Sequence, residues 1–537
     1  MRHGLPAIVL AAATAVAIPS AQAPSSQQQR PTTFRTGTRL VQISVVVQDG
    51  QRRPVSGLTV EDFRLQDDGR DQTIALFSVE TGRSEARAPD AVSPTTFTNL
   101  LSGPAAAGVT VILYDRLNTR QEHLQQARGH IVEFLKQLRP EDRVGFYVLE
   151  SDSVRVLHDF TRDASSLLKA LGRAPVSTSR ELAGSEDTFP KPEPAGDPSL
   201  DAAMTEWLDR GEQAMQGFFQ RQRVLAATSA LEAIAGHLAG VRGRKNVIWI
   251  SSGFPIIFND GISPVNMSDE VYRATRALSH SDIAIYPVDA RGLVGAFSTA
   301  PSVKQQQFTT LSSVMTNIET SKLIAEQTGG RAYYNTNDLG AAITRAVDDT
   351  RLTYVLGYYP THDTWDGRFR KVNVSVRRRG VEVRHRYGYF AWPVTPAGSS
   401  TVESAFEALR SPLEATGVRL TARIDTAAAA DQFTVALDVD GTAIGLVESR
   451  GLWEGTVDLV IAQALPDGRL YRSFETRVPL RLSAEERGRL IQDGLTLTRT
   501  ISLRPDVHQL RVLVRDGVTG ATGTLIMPAD RVRSIRR

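Results

Sequence analysis

Between residues 109 and 358 the sequence alternates short apolar runs with amphipathic helical patterns. The apolar runs are long enough for strands that are covered on both faces, and they lie at 109–114, 144–149, 247–251 and 283–288. Apolar residues at helical spacing predict the intervening and following helices, notably those at 119–138, 201–239, 267–279, 304–328 and 337–350. A last apolar run, 353–359, predicts a closing strand. Alternating βα units of this kind predict an α/β fold with a doubly wound, mostly parallel sheet.

The segments on either side of this region alternate apolar and polar residues, as strands do. We predict a small N-terminal β module at 40–92, completed by 369–392, because each segment alone has too few strands for an independent core. The α/β domain between them spans 104–362 and carries a polar, proline-rich insertion at 173–200. Alternating runs separated by turn residues predict a separate C-terminal β-sandwich at 402–537, which we expect to fold alone.

The first residues have the pattern of a secretory signal peptide. Two basic residues precede an apolar run at 7–18, which is followed by a small-x-small site at Ala21-Gln22-Ala23. This pattern predicts a signal peptide over 1–23 and a flexible lead-in over 24–39. We therefore expect an exported protein, in the periplasm, at the cell surface or in the medium, with no transmembrane segment in the mature chain.

Composition excludes several classes of function. The chain has no cysteine, which excludes disulfides, thiolate zinc sites and cysteine nucleophiles. Its 62 Lys and Arg residues nearly balance 59 Asp and Glu residues and form no long basic run, so we expect no nucleic-acid partner. The nine histidines are scattered and form no metal-binding motif.

In an open α/β sheet, ligands bind beyond the carboxyl ends of the strands. The first parallel strand ends at Asp115, which Asn118 and Thr119 follow closely, and a later strand ends at Asp289. Carboxylate, amide and hydroxyl oxygens suit Mg²⁺ or another hard divalent cation. The alternative is that Asp115 or Asn118 caps the helix that follows.

Several motifs occur in a fixed order along the chain. They are Val55-x-Gly-Leu-Thr-x-Glu-Asp-Phe, Asp115-x-x-x-Thr119, Gly243-Arg-Lys-Asn-Val-Ile-Trp, Ser252-Gly-Phe-Pro, Tyr286-Pro-Val-Asp-Ala-Arg-Gly-Leu, Thr328-Gly-Gly-Arg-Ala and Leu356-Gly-Tyr-Tyr-Pro. Together they resemble the von Willebrand factor type A-related domain family that is named from acidobacterial proteins, over about residues 40–392. The resemblance implies a type A domain, in which an Asp-x-Ser-x-Ser motif binds a divalent cation and a carboxylate of the partner completes the coordination.

The sequence departs from that cation motif. Leu117 stands at the first serine position and cannot ligate, whereas Thr119 supplies the second hydroxyl. Ser251-Ser252-Gly253 replaces the usual Thr-Asp-Gly, so one carboxylate is missing. The resemblance therefore implies a weakened, degenerate site for Mg²⁺ or another divalent cation, and its candidate ligands are Asp115, Thr119, Thr228 and Asp289.

We expect a non-enzymatic protein-interaction or adhesion-type protein that binds a protein or cell-envelope component. The predicted contact face is the carboxyl end of the sheet, and its candidate residues are Asp115, Asn118, Ser252 and Asp289. The main alternative is a structural envelope or assembly scaffold with no working cation site. The other alternative is an exported hydrolase that uses Asp115 and Asp289 as paired carboxylates.

Overall fold

The structure is a computed structural model, and the part of the chain that it describes lies between residues 40 and 536. The described residues are 40–81, 93, 95–100, 108–151, 153–186, 190, 193, 196–241, 243–261, 263–292, 316–336, 338–362, 364–391, 406, 408–427, 429 and 431–536. The predicted signal peptide and lead-in, and the start of the helix predicted at 304–328, lie outside these residues.

The elements are numbered in chain order. The strands are β1 (Val41–Asp49), β2 (Phe63–Asp67), β3 (Arg70–Gln72), β4 (Ile74–Thr81), β5 (Thr96–Thr98), β6 (Val109–Asp115), β7 (Val144–Leu149), β8 (Val154–Thr161), β9 (Lys245–Ser251), β10 (Ile257–Asn259), β11 (Pro264–Asn266), β12 (Ile283–Asp289), β13 (Leu352–Tyr358), β14 (Phe369–Val376), β15 (Val381–Arg384), β16 (Gly388–Phe390), β17 (Leu420–Thr426), β18 (Gln432–Val439), β19 (Val447–Ser449), β20 (Leu452–Ala464), β21 (Leu470–Leu482), β22 (Leu495–Ser502), β23 (Gln509–Asp516) and β24 (Thr522–Pro528). The helices are α1 (Gln121–Lys136), α2 (Ala164–Arg173), α3 (Arg180–Gly184), α4 (Pro198–Leu238), α5 (Ser268–His280), α6 (316–328), α7 (Leu339–Asp348), α8 (Ala484–Asp493) and α9 (Ala529–Ser534).

The central sheet has the strand order β12-β9-β6-β7-β8. Neighbouring strands are parallel except β7 and β8, and Tyr333 adds a parallel bridge beyond β12 at Val288. Every residue of β6, β7, β9 and β12 is buried, because α4, α5 and α6 cover one face and α1, α2 and α7 cover the other. The α/β fold class predicted from the apolar runs is confirmed.

The two segments that flank the α/β region share a small β module. Strand β2 pairs with β14, with Leu65 opposite Val374, and β1 pairs with β15. The predicted closing strand belongs here too: β13 lies between β1 and β4, antiparallel to both. The prediction that it completes the parallel sheet, within a domain ending at 362, was wrong. A continuous apolar run indicates burial on both faces and does not identify the neighbouring strand.

The C-terminal sandwich consists of the sheets β22-β18-β17-β5 and β19-β20-β23-β24, with β21 paired to β20. Strand β5, from the segment that precedes the α/β region, pairs with β17. The side chain of Phe97 is buried in the sandwich core. Residues 402–537 therefore lack one strand of their own sheet, which corrects the boundary predicted for this domain.

Two buried junctions join the three regions. At the first, Thr416 donates a hydrogen bond to the carbonyl oxygen of His237 (2.7 Å) and accepts one from the amide of Gly240 (2.8 Å). An added Cβ at Gly240 would lie 2.2 Å from the Thr416 carbonyl oxygen, so this approach requires glycine. At the second, Asp349 accepts hydrogen bonds from Arg384 of the β module and from Tyr286 of β12, both at 2.6 Å.

Replacing Phe97 with alanine tests the role of β5. Loss of a buried phenylalanine ring should lower the free energy of unfolding of the sandwich by about 3–5 kcal/mol. Hydrogen exchange of the amides in β17 and β18 measures this loss in the full chain. The control is Leu100→Ala, three residues away at an exposed side chain, which should change stability by no more than about 0.5 kcal/mol. Equal protection in the two variants would contradict the assignment of β5.

Glu414, beside the first junction, makes stability depend on pH. Burial raises the pKa of Glu414 from its ordinary value of 4.5 to about 7, although its Oε1 accepts a hydrogen bond from the Ile526 amide. Between these values the folded chain binds more protons than the unfolded chain, so the contribution of Glu414 to stability falls as pH rises through this window. Glu414→Gln, which keeps the accepting oxygen, should be more stable than the wild type in urea denaturation at pH 8. The gain should disappear at pH 4, and an equal difference at both values would contradict this account.

Candidate functional site

Asp115, the last residue of β6, lies fully buried at the carboxyl edge of the parallel sheet. Both of its carboxylate oxygens accept hydrogen bonds from neighbouring protein groups. The donors are the Asn118 amide (2.9 Å) and side-chain Nδ2 (2.9 and 3.2 Å), Trp249 Nε1 (2.9 Å) and Ser251 Oγ (2.6 Å). Trp249 and Ser251 are brought there by β9, which is parallel to β6.

Opposing effects act on the ionisation of this carboxyl. Burial raises the pKa of Asp115, because a charge in the interior loses its hydration. The hydrogen bonds from Ser251, Asn118 and Trp249 oppose that shift, because they favour the charged form. The carboxylate is therefore held by groups that donate to it at both oxygens.

A buried arginine supplies positive charge at the same place. Arg223 of α4 donates from Nε to Asn118 Oδ1 (3.0 Å) and from Nη1 to Ser185 Oγ (2.7 Å). Burial lowers the pKa of Arg223 to about 10, and attraction to Asp115 opposes that shift. The guanidinium therefore stays protonated at neutral pH, one amide group away from the carboxylate.

The candidate cation ligands do not form a coordination site. Thr119 Oγ1 accepts a hydrogen bond from the Ser252 amide (3.1 Å), and Thr228 Oγ1 donates to the Val224 carbonyl one turn earlier in α4 (2.9 Å). Asp289 is paired with Arg291, whose Nε and Nη2 donate to its two oxygens at 2.9 and 2.8 Å.

In the described part of the chain, no three acidic or histidine side chains are placed to hold a metal ion. Because protein donors occupy both oxygens of Asp115 and both oxygens of Asp289, the residues at this edge do not fit the divalent cation that a type A domain implies. Leu117, the residue that cannot ligate, is buried in the core instead.

The predicted contact face also needs correction. Asp115, Asn118 and Asp289 are all buried and cannot reach a partner. Ser252 is the one of the four predicted residues that is partly exposed, and its hydroxyl oxygen is buried. Beside it, Tyr334 is 40% exposed, and the Lys322 ammonium lies 5.1 Å from the centre of its ring. The accessible part of this edge therefore presents an aromatic ring beside the Lys322–Glu319 ion pair (2.8 Å).

The insertion at 173–200 is built onto the same edge. Ser179 caps α3 by accepting from the Leu182 amide (3.0 Å) and donates to the Leu117 carbonyl (2.8 Å). Arg116 donates to Ser177 Oγ (2.9 Å). The insertion thus holds the loop after β6 in place through these hydrogen bonds. It also contains Ser185, whose Oγ accepts the hydrogen bond from Arg223.

Arg223 was not identified from the sequence, although the apolar pattern of α4 contains this one arginine on its buried face. Arg223 shares one face of α4 with Ala227, Ala230 and Ile234, all of which are buried. A lone charged residue in the apolar face of a helix requires a buried partner. Here the partner is Asn118, which connects Arg223 to Asp115 at the carboxyl edge of the sheet.

Comparisons with known proteins add remote likenesses. No protein-family model matches the chain, and no curated protein matches it significantly. Similar solved structures include the SpRpn10 VWA domain (12% identity, 44% of this chain and 94% of that one, TM-score 0.21) and a von Willebrand factor type A protein from Catenulispora acidiphila (9%, 85% and 73%, 0.23). A third is the pilus adhesin SpaC from Lactobacillus rhamnosus GG (9% identity, TM-score 0.26), in which 83% of this chain matches 57% of the adhesin.

These comparisons do not show that the chain belongs to the type A-related family that its motifs resemble. The α/β fold is established by the strand order of the chain itself. Among the described helices, including the 41-residue α4, none combines the length and the apolar character needed to cross a bilayer.

The site makes two measurable predictions. Because the edge does not fit a cation, millimolar Mg²⁺ should leave the thermal unfolding midpoint of the wild type unchanged, whereas a bound ion would raise it.

Arg223→Met should lower the free energy of unfolding by about 3–5 kcal/mol, because it leaves a buried carboxylate without its counter-charge. The control is Arg345→Met, at an exposed arginine of α7. A Mg²⁺-dependent midpoint, or equal stability of the two variants, would contradict the account.

Proposed function

We propose that this is an exported, non-enzymatic interaction protein that binds a protein or cell-envelope component at the carboxyl edge of its parallel sheet without a divalent cation. The observation that carries the proposal is the position of Arg223. Its guanidinium compensates Asp115 through Asn118, so the edge is complete without an ion. A partner then contacts a preformed protein surface and has no metal to ligate.

The chemistry of the edge supports a non-catalytic role. Paired carboxylates act as general acid and base only when both can reach the substrate. Asp115 is buried under its hydrogen-bond donors, and Asp289 is bound to Arg291. Neither of the two carboxylates named for the hydrolase alternative is therefore accessible to a substrate.

The contact surface that we propose is centred on Tyr334, which is 40% exposed. Aromatic side chains are enriched at protein interfaces, where they combine a large apolar area with a polar tip. Lys322 packs against the ring and is ion-paired with Glu319 at 2.8 Å. The surface therefore has an aromatic centre and charged groups of both signs at its rim.

One feature favours the alternative of a structural scaffold. The junctions at Thr416 and Asp349 fix the α/β region to both neighbouring modules by buried hydrogen bonds. A rigid chain of modules suits a spacer or an assembly component. In that case the edge around Tyr334 would have no specific partner.

A retention experiment on envelope extract separates the two proposals. The immobilised full chain should retain a defined protein equally in Mg²⁺ and in EDTA. Tyr334→Ala should weaken that retention roughly tenfold or more, as loss of an interface anchor does. The matched control is Tyr272→Ala on α5, because the two tyrosines are 38% and 40% exposed. Retention that requires Mg²⁺, or that responds alike to both variants, would contradict the proposed contact surface.

A further inference from the structure

More than half of α4 extends beyond the sheet that its C-terminal part covers. Arg223 lies beside the carboxyl edge, and the helix ends at Leu238, close to the start of β9 at the opposite edge. Residues 198–222 therefore project past the carboxyl edge. At 1.5 Å per residue this projecting part is about 37 Å long.

The projecting part carries large exposed apolar side chains. Trp207 and Phe218 are 68% and 57% exposed, Leu200 and Met204 are exposed as well, and so is Leu225 just after the projecting part. Side chains of this size are rarely left in solvent as a contiguous group unless the patch binds something.

These side chains belong to one regular series. Positions spaced alternately by four and three residues form a single seam on a helix, as in a coiled coil. The members of this series, here called the α4 stripe, are Leu200, Met204, Trp207, Gly211, Ala214, Phe218, Arg221 and Leu225, and all of them are exposed. The opposite side of the helix, at Arg223, Ala227 and Ile234, is buried against the sheet. The side chains of the stripe therefore point to solvent, and Gly261 of the β10–β11 turn packs against the helix beside Ala214.

The order of side-chain sizes along the stripe is nearly a palindrome. Read from either end, it runs through three large residues to two small ones at the centre. In an antiparallel pair with a two-fold axis between residues 212 and 213, the facing residues would be Leu200 with Leu225, Met204 with Arg221, Trp207 with Phe218, and Gly211 with Ala214. The small pair lies at the axis, where it permits close approach of the two backbones.

Self-complementarity of this kind is what a two-fold symmetric interface requires, because the same patch serves on both subunits. We propose that the α4 stripe binds the α4 stripe of a second copy of this chain in an antiparallel helix pair. This inference does not depend on the partner proposed for the edge at Tyr334.

Charge along the helix favours the antiparallel direction. Arg221 is the charged member of the stripe, and Asp201 follows Leu200 at the other end of it. In the antiparallel pair, Arg221 of one copy faces Met204 and comes close to Asp201 of the other copy. A parallel pair would instead place Arg221 against Arg221, and like charges are unfavourable there.

Sedimentation of the full chain over a range of concentrations tests self-association. The wild type should show a monomer–dimer equilibrium. Trp207→Asp should raise the dissociation constant at least tenfold, because it puts a charge opposite Phe218. The control is Ala202→Asp, an exposed position on the other side of the same helix, which should leave the dissociation constant unchanged. A wild type that is monomeric at every concentration, or an equal effect of the two variants, would overturn the proposal.

Cross-linking tests the direction and register. The chain has no cysteine, so Leu200→Cys and Leu225→Cys each introduce its only thiol. In the proposed pair the two different variants should form a disulfide when mixed, and neither should do so alone, because identical positions lie about 37 Å apart. A disulfide within either variant alone, or no disulfide in the mixture, would overturn the antiparallel register. This readout does not depend on the folding of the Trp207→Asp variant.

Discussion

A carboxylate buried at the end of the central strand must be compensated, and here the chain itself provides the compensation. Asp115 is held by Asn118, Trp249 and Ser251, and Asn118 connects it to the Arg223 guanidinium. Leaving such a charge without partners would cost several kcal/mol. Because Arg223 is also fixed by Ser185, the same interaction joins the loop after β6, the insertion and α4. A complete surface results, rather than an open coordination site.

The α/β sheet could be predicted because its strands are covered on both faces and appear as continuous apolar runs. For the same reason β13 was wrongly assigned to the parallel sheet, because an apolar run carries no information about which strand lies beside it. Strand β5 escaped prediction for a different reason. It has three residues, Thr96–Thr98, which are too few to show an alternating pattern, and its partner β17 lies more than 300 residues away in the sequence.

The candidate site could be predicted only in part. The position of Asp115 follows from the strand that it ends, and Leu117 and the absent second carboxylate are visible in the sequence. The role of Arg223 depends on a distance between α4 and the sheet edge that no local pattern contains. The burial of Asp115 and Asn118, which removes them from any contact face, likewise follows from the insertion and from β9.

The most direct test of this account is a crystal structure of the protein grown in millimolar Mn²⁺ and measured at the manganese absorption edge. The account predicts no anomalous density at the carboxyl edge of the sheet, with Arg223 Nε bound to Asn118 and the Asp115 oxygens bound to Trp249 and Ser251. An anomalous peak at coordination distance from Asp115 and Thr119, with the Arg223 guanidinium displaced, would contradict it.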